Sequence, residues 1–119
     1  MKKRMAKNLG ELTAEMDNEQ FCKNNGIVIR TILARWRVST FTWRELLQVL
    51  GAYHMDEEDV LEAMLCFDEM GYIKTKTGDT AEAANLIDYT DDLDELYFSL
   101  GKKGREIARG LEKDPSIIL

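Results

Sequence analysis

The residues whose types and spacing could do chemistry are carboxylates. Between Met55 and Ile73 the chain reads MDEEDVLEAMLCFDEMGYI, which holds Asp56, Glu57, Glu58, Asp59, Glu62, Asp68 and Glu69 and no Lys or Arg. A second acidic run follows with Asp88, Asp91, Asp92, Asp94 and Glu95. Such clusters can bind a divalent ion, complement a helix dipole, or present a negative surface to a basic partner. The ion has the least support, because MDEEDVLE and DYTDDLDEL both lack the central glycine of a calcium loop and a terminal Glu at the right offset. Catalytic signatures are missing as well. His54 is the only histidine, it has no Ser or Cys partner in a recognisable motif, and no glycine loop is arranged to cradle phosphate. Cys22 and Cys66 have no second Cys or His at ligand spacing, so both are expected to be reduced thiols. No enzymatic activity, metal or cofactor is expected.

These acids belong to a chain of 119 residues, 45% apolar, which fits one domain. Its net charge of −6 hides a segregation along the sequence. Residues 1–55 hold nine Lys/Arg against five Asp/Glu, residues 56–98 two against fourteen, and residues 99–119 five against three. No apolar run approaches the roughly 20 residues that a bilayer requires, and the basic start MKKRMAKNLGEL has no apolar stretch behind it. A cytoplasmic protein without membrane contact is expected.

The elements that must position the acids can be read from periodicity and caps. Met5, Leu9, Leu12 and Met16 fall at helical spacing and predict an amphipathic helix over about Lys3–Phe21, followed by a turn at KNNG. Val28, Ile29, Ile32, Leu33 and Trp36 trace the apolar face of a second helix, about Ile27–Arg37. Thr42 and Glu45 form an S/T-x-x-E capping box, with Phe41 and Leu46 placed as a hydrophobic staple, so a helix starts at Trp43 and ends at Gly51. Asp56 can cap the next helix, about Glu57–Met70, which stops at Gly71. YIKTKTG and ELYFSL read as two strands of a hairpin. The connection between them, DTAEAANLIDYTDDLD, is long and acidic, and predicts a mobile loop or a short helical turn over Ala81–Leu86. KKGREIARGLEK reads as a last short helix, broken by Asp114 and Pro115, before the apolar Ile117, Ile118 and Leu119.

CFDEMGYIKTKTG resembles the end of the third helix and the first wing strand of MarR- and PadR-type regulators, and LYFSLGKKGREIARGL resembles their second wing strand and following helix. The resemblance covers about residues 26–111. It implies a mainly α fold with a small β-hairpin, a winged helix-turn-helix with an extra N-terminal helix and a C-terminal helix. The chain then divides into an N-terminal amphipathic helix (1–24), a winged-helix domain (25–113) with a long acidic wing (78–95), and a tail (114–119). The family's DNA-contacting residues find no match on the third helix, where DNA-reading relatives carry Ser, Thr, Gln, Arg or Lys and this chain has Asp56, Glu57, Glu58, Asp59 and Glu62.

At 100° per residue, Val60, Met64 and Phe67 share the face that must be core, which turns Glu58, Glu62 and Glu69 outward, with Asp59 beside them. That face would bring no cation to phosphates spaced about 1.7 Å apart along duplex DNA. The first expectation is therefore a regulatory protein whose acidic helix meets a basic protein surface or a DNA-binding protein, in the extreme as a DNA mimic. The alternative is a DNA-binding transcription regulator that contacts phosphates through Arg44, Lys74, Lys76 and Arg37, with the acidic wing swung away. Met5, Leu9, Leu12 and Met16, together with the last helix, are expected to form a homodimer. Light scattering at micromolar concentration should return a dimer mass, and a monomer mass would refute it.

Overall fold

The computed structural model describes the backbone of residues 9–119 and the side chains of residues 18–119. Four helices, α1 (Leu9–Trp36), α2 (Trp43–Leu50), α3 (Glu57–Met70) and α4 (Lys102–Ala108), combine with a small antiparallel sheet of β1 (Phe41–Thr42), β2 (Ile73–Thr77) and β3 (Leu96–Leu100) in the order β1-β3-β2. The fold is mainly helical. Among the described residues no helix is long and apolar enough to cross a membrane. Met5 lies outside the described residues, and the side chains of Leu9, Leu12 and Met16 do so as well.

Local signals built α2 and α3 as the sequence predicts. Glu45 N–H donates to Thr42 Oγ1 at 3.2 Å while Glu45 Oε1 accepts from Thr42 N–H at 2.9 Å, closing the capping box. Asp56 Oδ1 accepts from Asp59 N–H at 2.9 Å and caps α3. Gly71, at φ 77°, ends α3 in the left-handed conformation, with its N–H on Asp68 O. Past α2 the chain adds a 3-10 turn, Gly51–Tyr53, and the left-handed residue is His54 at φ 60° rather than Gly51.

The N-terminal half departs from expectation. KNNG forms no turn: α1 runs unbroken for 28 residues, and the boundary drawn between residues 24 and 25 falls inside it. Asn25 and Gly26 occupy core positions of the helix, on the stripe that includes Cys22, Ile29 and Ile32, so the apolar periodicity is masked by residue type. Segment 114–119 dictates both. Asn25 Nδ2 donates to Ser116 O at 2.9 Å, Ile118 N–H donates to Cys22 O at 3.0 Å, and a Cβ on Gly26 would collide with the Ile118 carbonyl. The same segment is latched from the far side. Asp114 accepts from the Tyr72 hydroxyl, and from the N–H and hydroxyl of Ser116 at 2.8 and 2.7 Å. Burial opposes the charge on Asp114, but these donors prevail and hold its carboxyl below the usual range, while burial and the neighbouring carboxylate push the Tyr72 hydroxyl upward.

The core joins Ile29 and Ile32 of α1, Leu46 and Leu50 of α2, Val60, Met64 and Phe67 of α3, and the inward residues Phe41, Ile73 and Phe98 of the sheet. Trp36 stacks on Phe41 with ring centroids 4.6 Å apart. The sheet has one strand more than a hairpin: β1 pairs with β3 through Phe41–Phe98 and Thr42–Tyr97. The connection 78–95 also differs from expectation. No helical turn spans Ala81–Leu86. Ala83 bridges to Lys76, and Thr77 N–H and Ala84 N–H bond Glu82 O and Thr75 O, so this stretch covers the open edge of β2. 3-10 turns then follow at Leu86–Tyr89 and Leu93–Glu95.

Gly26→Ala should destabilise the protein by about 1–3 kcal/mol in denaturant unfolding, because the new methyl overpacks against segment 114–119. In an unencumbered helix the same change stabilises by about 1 kcal/mol. Gly51→Ala, where an added Cβ meets nothing within 4 Å, serves as the control and should not destabilise.

Candidate functional site

The outward side of α3 carries the acids where the helical spacing puts them. Glu58, Glu62 and Glu69 are exposed, and Asp59 is half-buried. Desolvation, with the charges of Asp56 and Glu58 beside it, pushes the Asp59 carboxyl above its usual range. Within the first turn, Glu57, Glu58 and Asp59 complement the helix dipole, each by about 0.3–1 kcal/mol where exposed. Glu62 and Glu69 lie beyond that turn.

Asp68 differs from its neighbours. One of its oxygens accepts from the Thr75 hydroxyl at 2.8 Å and the other from Leu86 N–H at 3.0 Å. It ties the end of α3 to β2 and to the 3-10 turn at Leu86–Tyr89, and so belongs to the framework of the site. Leu86 is fully buried, and Tyr89 and Leu93 pack against the core. The connection therefore folds back over α3 and α2 and is not swung away. Nothing in the acidic run foretold this, although Leu86, Tyr89 and Leu93 are among its apolar residues.

The phosphate-contact candidates are dispersed, and only Arg44 lies beside an acid of α3, Glu57. Arg44, at the start of α2, donates to Asp94 Oδ2 at 3.0 Å across a pair that is 80% and 64% exposed. Such a pair contributes little stability, but it sets an acid of the connection against the one cation of α2. Lys74 and Lys76 are exposed on the outward face of β2, where their cross-strand partners are Ser99 and Tyr97. Arg37 lies elsewhere, in an open groove with Arg30, Arg35 and Ala108 where α1 meets α4. Of the remaining cations, Lys103 stands 5.6 Å from the centre of the Tyr72 ring and Arg105 Nη1 donates to Leu100 O at 3.0 Å.

Among the described residues no group of His, Cys, Asp or Glu is placed to hold a metal ion. Burial pushes the Cys66 thiol up, although Ser116 beside it pulls the other way, so the fold does not activate it as a nucleophile. The chain matches no family model, no curated protein and no solved structure.

Asp68→Ala leaves the Leu86 amide and the Thr75 hydroxyl without their acceptor, and should cost about 1–3 kcal/mol in denaturant unfolding, with faster hydrogen exchange at Leu86. Glu62→Ala, on the exposed face, should stay within about 0.5 kcal/mol.

Proposed function

We infer that the chain is a small winged-helix regulatory protein that acts through protein–protein contact, offering the acidic side of α3 and the folded-back connection to a basic surface. The order α1, β1, α2, α3, β2, long connection, β3, α4 supports the winged-helix reading. The observation that carries the function is the position of the connection. By packing over α2 and α3 it sets Asp91 and Asp94 beside Glu57 and Arg44, so further carboxylates flank the side of α3 that a DNA-binding relative would turn to phosphate. A basic partner is the complement of that face, and the nucleic-acid site of a DNA-binding protein is the strongest form of it.

The alternative, a MarR- or PadR-like regulator bound to DNA, retains as exposed cations Lys74 and Lys76 on β2 and Arg37 just past the end of α1. Fluorescence titration with generic duplex DNA should show no binding at about 50 mM salt, and tight binding that weakens as salt rises would overturn the reading in favour of the alternative. A partner recovered with the wild-type protein should be lost with the Glu58→Lys, Glu62→Lys, Glu69→Lys triple variant. Its survival would remove α3 from the contact surface.

A further inference from the structure

The groove between α3 and the connection is not merely acidic. Leu65, Asp68, Glu69, Asn85 and Ile87 line a space of about 390 Å3 that opens to solvent, and no Lys or Arg is among them. Ile87 is 64% exposed, which is high for a branched aliphatic residue. Its exposure is enforced. The preceding Leu86 is fully buried and its N–H is held by Asp68, so the 3-10 turn cannot rotate to bury Ile87 without breaking that bond and exposing Leu86. Leu65 lies half-buried on the facing helix, and exposed Glu69 stands one turn further on. An apolar contact point is thus fixed beside a carboxylate on the most acidic part of the molecule.

Building on the reading above, we propose that this groove docks a segment of a partner protein that places an apolar side chain between Ile87 and Leu65 and a flanking Lys or Arg on Glu69. Charge complementarity sets the flanks, because the groove offers carboxylates alone as its charged groups. The apolar element sets the register, as a buried anchor does in a groove-bound helix. Nucleic acid fits neither feature: it brings phosphates to carboxylates and has no aliphatic group to fill the space.

The test uses two synthetic probes, a helical peptide with Leu on one face and Lys on the other, and oligolysine of the same charge, titrated into the full chain at low salt. The Leu/Lys peptide should bind about tenfold more tightly than oligolysine, as expected for burying one aliphatic contact. Ile87→Ser should weaken the Leu/Lys peptide about fivefold and leave oligolysine unchanged. Because Ile87 is exposed, the thermal midpoint of that variant should not move. Amide shifts on adding the Leu/Lys peptide to the wild-type protein should centre on Leu65, Glu69 and Ile87, and shifts confined to other elements would overturn the proposal even if the variant proved unstable. Equal affinity for the two peptides, or an Ile87→Ser variant that binds like wild type, would overturn the groove and leave the acidic-surface reading standing. Failure of both peptides to bind would overturn both. A dimer of the free protein that Ile87→Ser dissociates would assign the groove to a second copy, and would also overturn the proposal.

Discussion

Asp68 holds three chain segments at one point. Its backbone carbonyl accepts from Gly71 N–H at the close of α3, one carboxylate oxygen takes the Thr75 hydroxyl of β2, and the other takes Leu86 N–H of the connection. The carboxylate is a charged acceptor, which strengthens the bonds from Thr75 and Leu86, and the partly buried setting limits competition from water. The bond to Leu86 decides where the acidic connection lies. With Leu86 drawn into the core, Tyr89 and Leu93 follow onto the same surface and Asp94 comes within reach of Arg44. A stretch of acids that would repel one another in an extended loop is thereby laid across α2 and α3.

What could be read from the sequence was what is decided locally. The capping box at Thr42, the cap at Asp56 and the left-handed Gly71 each involve residues at most four apart, and α2 and α3 have the bounds those signals predict. The core face of α3 followed from its period, and with it the outward direction of Glu58, Glu62 and Glu69. Elements fixed from a distance were not legible. Asn25 and Gly26 look like a turn because their helical neighbours are chosen by Ser116 and Ile118, and the Asn25–Ser116 bond spans 91 positions along the chain. β1, at two residues, is too short to show alternation, and its pairing with Phe98 is a tertiary event. The roles of Ile87 and Asp68 are hidden in the sequence for a related reason. In a run of acids and alternating apolar residues, only the folded chain shows which acid is bonded and which apolar residue stays outside.

The cysteines and the Tyr72–Asp114 latch belong to this same long-range framework. Cys22 Sγ donates to Pro115 O at 3.5 Å, and Cys66 Sγ lies 3.9 Å from Ser116 Oγ, so both thiols pack beneath segment 114–119 where α1 meets α3. Asn25 Oδ1 is buried there without a partner among the described residues, a cost accepted where Asn25 Nδ2 fixes the crossing segment. The seam orients α3 from one side, as Asp68 does from the other. The outward face of α3 is therefore anchored at both flanks.

Stability arguments explain the acids of α3 unevenly, and the unevenness bears on function. Glu57, Glu58 and Asp59 sit in the first turn, where a negative charge complements the dipole, and Asp68 in the last turn is compensated by its hydrogen bonds. Glu69 has neither benefit. It is an exposed anion in the last turn of a helix that has no basic residue there, where the dipole favours a cation. A Lys at this position would suit the helix better, and the local rule is broken beside an isoleucine that the fold holds in solvent. These two neighbouring residues each oppose the stability of the free chain, one through charge and one through apolar exposure, and the basic, partly apolar partner proposed above would relieve both penalties.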